Sequence, residues 1–131
     1  MTWLAALVLV LAQGAASPAA GPIDPRVAAQ VPLIAGKLAD WRGTWAAVDG
    51  KLACRTVRST GDEEIDKIGC FATLTCVKPI YPELKAIADG KATEADKKAQ
   101  IRARLSGQAT CLKQYRGQGI AELALKRGTG T

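Results

Sequence analysis

The chain has 131 residues, with 18 basic and 12 acidic side chains, a formal net charge of +6, four cysteines and no histidine. That length supports one small domain with a modest core. The absence of histidine removes the commonest general base and metal ligand, and the cysteine spacings contain no C-x-x-C pair of the kind zinc and thiol-redox sites use, so neither a metal nor a cofactor is expected.

Four cysteines in so small a chain point instead to two disulfides and an oxidising compartment, periplasmic or secreted. Charge is unevenly placed: residues 1–90 carry nine basic and nine acidic side chains, whereas residues 91–131 carry nine and three. The whole excess therefore lies in the C-terminal third, either as a solvated helix face or as a surface for an anionic partner.

Met1 to Ala16 reads as a signal peptide, with an apolar run from Trp3 to Ala12 and small residues before a cut after Ala16; a cut after Ala19 extends it towards residue 20. The run is shorter than the roughly 20 apolar residues of a spanning helix, so the cleaved chain is not an integral membrane protein. No basic residue precedes the run, which leaves an uncleaved anchor as the alternative. Residues 17–23 read as a disordered linker, 24–127 as a single domain and 128–131 as a flexible tail.

Asp24-Pro25 opens the first helix, as N-cap and first helical residue. Val27, Val31, Ile34, Leu38 and Trp41 form its apolar face, Pro32 implies either a kink or a turn before a shorter helix, and Gly43 ends it. Two β runs then meet at Asp49-Gly50, a hairpin signal, and alternation puts Leu52, Cys54 and Thr56 on one face of the second run. Thr60 to Glu63 fits a capping box for a helix from Asp62 to about Val77, stopped by Pro79 and burying Ile65, Ile68, Ala72 and Cys76. Its acids Asp62, Glu63, Glu64 and Asp66 complement the helix dipole; a cation site or an acid/base pair is the competing reading.

Pro82 starts a short helix that Gly90 stops. Thr93 with Asp96 opens the longest helix, to about Arg116, with Gly107 weakening its middle and Gly117 and Gly119 breaking it; Ile120 to Arg127 makes a last short helix. Ile101, Leu105, Leu112 and Tyr115 share one stripe of the long helix, and Lys98, Arg102, Lys113 and Arg116 share the neighbouring one. The fold class is therefore α+β and helix-dominated, a hairpin over residues 44–58 covered by three to five helices and stapled by two disulfides.

The 36 residues from Thr44 to Pro79 resemble a known unit. Val48-Asp-Gly-Lys-Leu52, then Cys54-Arg-Thr-Val-Arg-Ser-Thr-Gly-Asp62, then Ile65-Asp66 and Cys70, is similar to the hairpin-helix core of TonB C-terminal domains, where some members carry a cysteine pair at the places of Cys54 and Cys70. The resemblance implies a Gram-negative envelope location and a Cys54–Cys70 disulfide, which leaves Cys76 to Cys111 among the three possible pairings. Beyond Pro79 the chain turns helical where that fold would add a third strand.

Expected function follows from these features. The chain reads as a non-catalytic binding module that engages an envelope protein through an open hairpin edge, or an anionic surface through the basic face of Lys98, Arg102, Lys113 and Arg116, with Trp41 and Trp45 as candidate anchors or core. A TonB-like envelope accessory protein is the alternative, and a small enzyme working through Asp62, Glu64 and Tyr115 is a further one. Nucleic acid is not an expected partner, because the basic residues are not interleaved with stacking aromatics.

Overall fold

The computed structural model describes residues 22–130; the signal-peptide reading and most of the linker lie outside them. In chain order come α1 (Pro25–Ala39), β1 (Arg42–Val48), β2 (Lys51–Arg58), α2 (Glu63–Val77), a 3-10 turn (Lys78–Ile80), α3 (Tyr81–Asp89), α4 (Glu94–Ser106) and α5 (Ala109–Thr129). This is the helix-dominated hairpin fold expected, with disulfides Cys54–Cys70 and Cys76–Cys111.

Each element starts for a local reason. The Asp24 carboxylate accepts the Arg26 N–H and caps α1, with Pro25 at the first helical position. Of the two possibilities at Pro32 the continuous helix is found: Pro32 is exposed, so water can satisfy the carbonyl that its missing N–H leaves free. At the hairpin, Asp49 and Gly50 adopt φ of 52° and 76°, the left-handed pair a two-residue turn between twisted strands needs. The ladder pairs Val48 with Lys51, Ala46 with Ala53 and Trp45 with Cys54, so Trp45, Leu52, Cys54 and Thr56 face inward.

Two expectations about starts and stops are corrected here. Gly43 does not end α1 but lies in β1, beside a register shift, because Trp41 fills the space where a Cβ would stand. Thr60 does not cap α2; Asp62 does, accepting the N–H groups of Glu64 and Ile65. Thr60 instead donates its N–H and hydroxyl to Asp66 at 2.8 and 2.7 Å, and Ser59 donates to the same carboxylate, so one acid stitches the end of β2 to the first turn of α2.

The main core gathers Ile34 and Leu38 of α1, Ile65 and Ile68 of α2, and Leu123 and Ala124 of α5 around Trp41, with the Cys54–Cys70 bridge against it. The Trp41 indole is pressed between Gly43 and Gly69, and its Nε1–H donates to Thr56 Oγ1 at 3.1 Å. A second cluster, Val77, Ile80 and Leu84, is covered by Trp45, Leu52, Ile101 and Leu105. Pro79 thus stands in the 3-10 turn after α2, which leads directly into α3.

The C-terminal third differs most from expectation. The long helix is divided at Gly107-Gln108 rather than at Gly117 and Gly119, and α5 runs through both glycines to Thr129, so Gly128 and Thr129 are helical rather than a frayed tail. Tertiary packing explains this. A Cβ at Gly119 would stand 2.7 Å from Ile68 Cγ2, and one at Gly128 would stand 2.6 Å from the Val27 Cα, so two glycines let α5 lie close against α2 and α1. The chain leaves the helix at Gly130, φ 71°.

Candidate functional site

The hairpin, α2, α4 and α5 enclose a cleft of about 250 Å³ beside β1. Four consecutive-region residues, Trp41, Arg42, Gly43 and Trp45, form one side; Thr73, Cys76 and Val77 of α2, Leu105 of α4, Gln108, and Leu112 and Arg116 of α5 form the other. No residue of β2 borders it, so the cleft lies on the β1 side of the hairpin.

Its shape is fixed from below. The Cys76–Cys111 disulfide ties α2 to α5, and Gln108 Nε2 donates to the Cys76 carbonyl at 2.6 Å, which anchors the turn between α4 and α5. Trp45 is half-buried and meets Tyr81 edge to face, ring centroids 6.2 Å apart. Of the two candidate anchors, Trp41 is only 2% exposed and is a core side chain that forms the wall under Arg116, whereas Trp45 keeps part of its ring exposed.

Two guanidinium groups meet here. Arg116 sits 5.8 Å from the Trp41 ring centroid, a cation–π distance, and its buried Nε–H has no acceptor among the described residues. Burial lowers the Arg116 pKa, and the charge of Arg42 lowers it further. Arg42 donates to the carbonyls of Ala39 and Trp41 at 2.9 and 2.8 Å and has no carboxylate partner among the described residues.

Elsewhere the basic residues separate. Lys98 and Arg102 border a shallow depression on α4 with Ile101 and Leu105, Lys113 is exposed on α5, and Arg116 faces the cleft, so the single basic stripe expected on one long helix is divided by the turn at Gly107-Gln108. Leu105 borders both hollows.

The acidic cluster is absorbed structurally. Arg127 bridges Asp62 at 2.8 Å and Glu64 at 3.4 Å, and Lys126 meets Glu64 at 2.7 Å, so the N-terminal acids of α2 neutralise the C-terminal bases of α5. Burial raises the Asp62 carboxyl, but the Arg127 and backbone hydrogen bonds outweigh it and its pKa falls below the ordinary range. The Lys126 hydrogen bond leads the same downward shift at Glu64. Tyr115 stands apart from both, edge to face with Phe71 at 6.3 Å. Among the described residues no cluster of histidine, cysteine or acid is suited to a metal ion, and no helix is long and apolar enough to cross a membrane.

Sequence reasoning named Trp41, Trp45 and Arg116, which the fold brings together, but missed Arg42, Thr73, Gln108, Leu105 and Leu112. Only Arg42, next to a tryptophan at a strand start, carried a local signal. No family model, curated protein or solved structure matches this chain.

Proposed function

We propose that this chain is a non-catalytic binding module of the periplasm or of secreted material, whose β1 edge accepts an extended segment of a protein partner. The observation that carries the reading is the two-stranded sheet, whose β1 edge runs beside a cleft lined by residues 41–45. The two-residue turn makes Val48 and Lys51 a hydrogen-bonded pair, so alternation turns the N–H and C=O of Ala47 and Trp45 outward. Such groups are a template for strand addition, in which the main chain gives affinity and neighbouring pockets give selectivity. The two disulfides favour an oxidising compartment. An envelope accessory role draws on the TonB-like resemblance of residues 44–79 in the sequence.

Selection of random-sequence peptides on the oxidised protein, followed by hydrogen exchange of the complex, tests the reading. Protection of the Trp45 and Ala47 amides, persisting in 1 M salt where the Debye length is roughly 3 Å, is the expected result. Binders that leave those amides exchanging and shift only Lys98, Arg102 and Lys113 would replace it with an electrostatic role for the helices.

A further inference from the structure

We infer that the cleft beside β1 recognises a carboxylate joined to an apolar group, supplied by the C-terminus of an extended peptide. The recognition rests on the cleft alone; only the source of the carboxylate rests on the edge-binding reading above.

The charge pattern is the first ground. Three arginines of the chain, Arg104, Arg116 and Arg127, are half-buried. Arg104 holds Glu83 at 2.6 Å and Arg127 holds Asp62 and Glu64, whereas among the described residues Arg116 has no carboxylate partner and its buried Nε–H has no acceptor. Buried donors are nearly always satisfied, and here a second cation, Arg42, faces the same space. A planar anion placed in the cleft would offset the repulsion between the two cations that border it. Arg116 borders the cleft with its Nε buried, so the charge-assisted contact open to a carboxylate is with the Nη groups.

Shape is the second ground. Val77, Leu105, Leu112 and Trp45 give the cleft an apolar wall next to the cations. A volume of about 250 Å³ is smaller than the clefts that hold cofactors and suits one terminal residue. Direction is the third. A peptide lying antiparallel to β1 runs from Val48 towards Arg42, so its last residue arrives at the end of the strand where Arg42 and the cleft lie.

The test uses N-acetyl-L-leucine, which carries the carboxylate and apolar group but is too short to form a strand, with N-acetyl-L-leucinamide and inorganic phosphate beside it. Titration of the oxidised protein is followed through the Arg116 Nε–H and Trp45 indole signals by NMR. N-acetyl-L-leucine is expected to shift both, the amide to bind roughly tenfold or more weakly, and Arg116→Gln, read through the Trp45 indole in a spectrum that stays folded, to lose the response. Arg116→Lys, which keeps the charge and loses the fork, is expected to fall between them.

Equal binding of acid and amide overturns the inference, as does phosphate binding as tightly as N-acetyl-L-leucine. In a second arm the selected peptides are compared with their C-terminally amidated forms. Peptides that protect β1 equally in both forms leave edge binding standing and defeat the carboxylate site. A response to N-acetyl-L-leucine with no β1 protection by any peptide keeps the carboxylate site, overturns its peptide source and defeats edge binding.

Discussion

Three glycines of α5 provide a graded test of how closely that helix is packed. At Gly117 an added Cβ meets nothing within 4 Å; at Gly119 it stands 2.7 Å from Ile68 Cγ2 and 3.1 Å from Cγ1; at Gly128 it meets the Val27 backbone at 2.6 Å. Replacing glycine by alanine in a helix interior contributes about 1 kcal/mol to stability, so Gly117→Ala should stabilise the fold by about that much. Gly119→Ala receives the same contribution but forces a methyl against Ile68, a β-branched side chain held at 9% exposure that cannot swing aside without leaving its rotamer. Overpacking of this kind costs about 1–3 kcal/mol, which leaves Gly119→Ala neutral to about 2 kcal/mol destabilised. Gly128→Ala meets backbone that has no rotamer to change and should fall lowest. Thermal unfolding of the oxidised protein, where each kcal/mol moves Tm by roughly 4–8 °C in a domain of about this size, should order the variants Gly117→Ala, Gly119→Ala, Gly128→Ala from highest to lowest. Equal stabilisation by all three would refute the close contacts of α5 with α2 and α1.

Removal of Cys76–Cys111 as a double alanine variant should cost about 4 kcal/mol and removal of Cys54–Cys70 about 3 kcal/mol in the chain-entropy treatment, since the bridges close separations of 35 and 16 residues; urea unfolding checks the order. The carboxyls of Asp62, Glu64, Asp66 and Glu83 all titrate below their ordinary values. The folded chain therefore binds fewer protons than the unfolded one in acid, so the stability they give is present above about pH 5 and is lost as pH falls through the lowered values. Urea unfolding at stepped pH should show that decline, and Arg127→Gln should flatten it; an unchanged slope in the variant would separate the ion pairs from stability. Trp41→Phe should destabilise by about 1–3 kcal/mol, measured by the same method, because it removes the hydrogen bond to Thr56 and leaves that hydroxyl under a smaller ring.

Where the sequence was legible, short-range chemistry decided the structure. Asp49-Gly50 can both take positive φ, Asp24-Pro25 and Thr93 can only open helices cheaply, and the apolar spacing of α2 points Ile65, Ile68, Ala72 and Cys76 to one side. The errors occurred where a contact distant in sequence outweighed such a preference. Gly117 and Gly119 read as a break because glycine disfavours helix by about 1 kcal/mol, yet burial of Leu123 and Ala124 against α1 and α2 is worth more, and Gly119 is what permits it. At Gly107 the same residue type does coincide with a break, and there the Gln108 side chain binds the Cys76 carbonyl 32 positions away. Nothing local distinguishes the two glycines.

The cleft was half legible for the same reason. Trp45 and Arg116 stand out as a large aromatic in a strand and a base in a helical stripe, but their meeting depends on Trp41, whose position needs Gly43 on one side and Gly69 on the other. Those glycines lie in β1 and α2 and share no motif. Once the indole is fixed between them, α5 reaches it through Arg116, and the Cys76–Cys111 bridge holds α5 there. The guanidinium is thereby placed over an aromatic face, whereas the acids at the start of α2 are held by Lys126 and Arg127, about three turns further along α5. Among the described residues Arg116 has no acidic partner, and the acids at the start of α2 pair with Lys126 and Arg127 instead. The placing of Arg116 over Trp41 at the cleft is therefore a product of long-range packing, and no reading of α5 by itself could have separated Arg116 from Lys113 three residues before it.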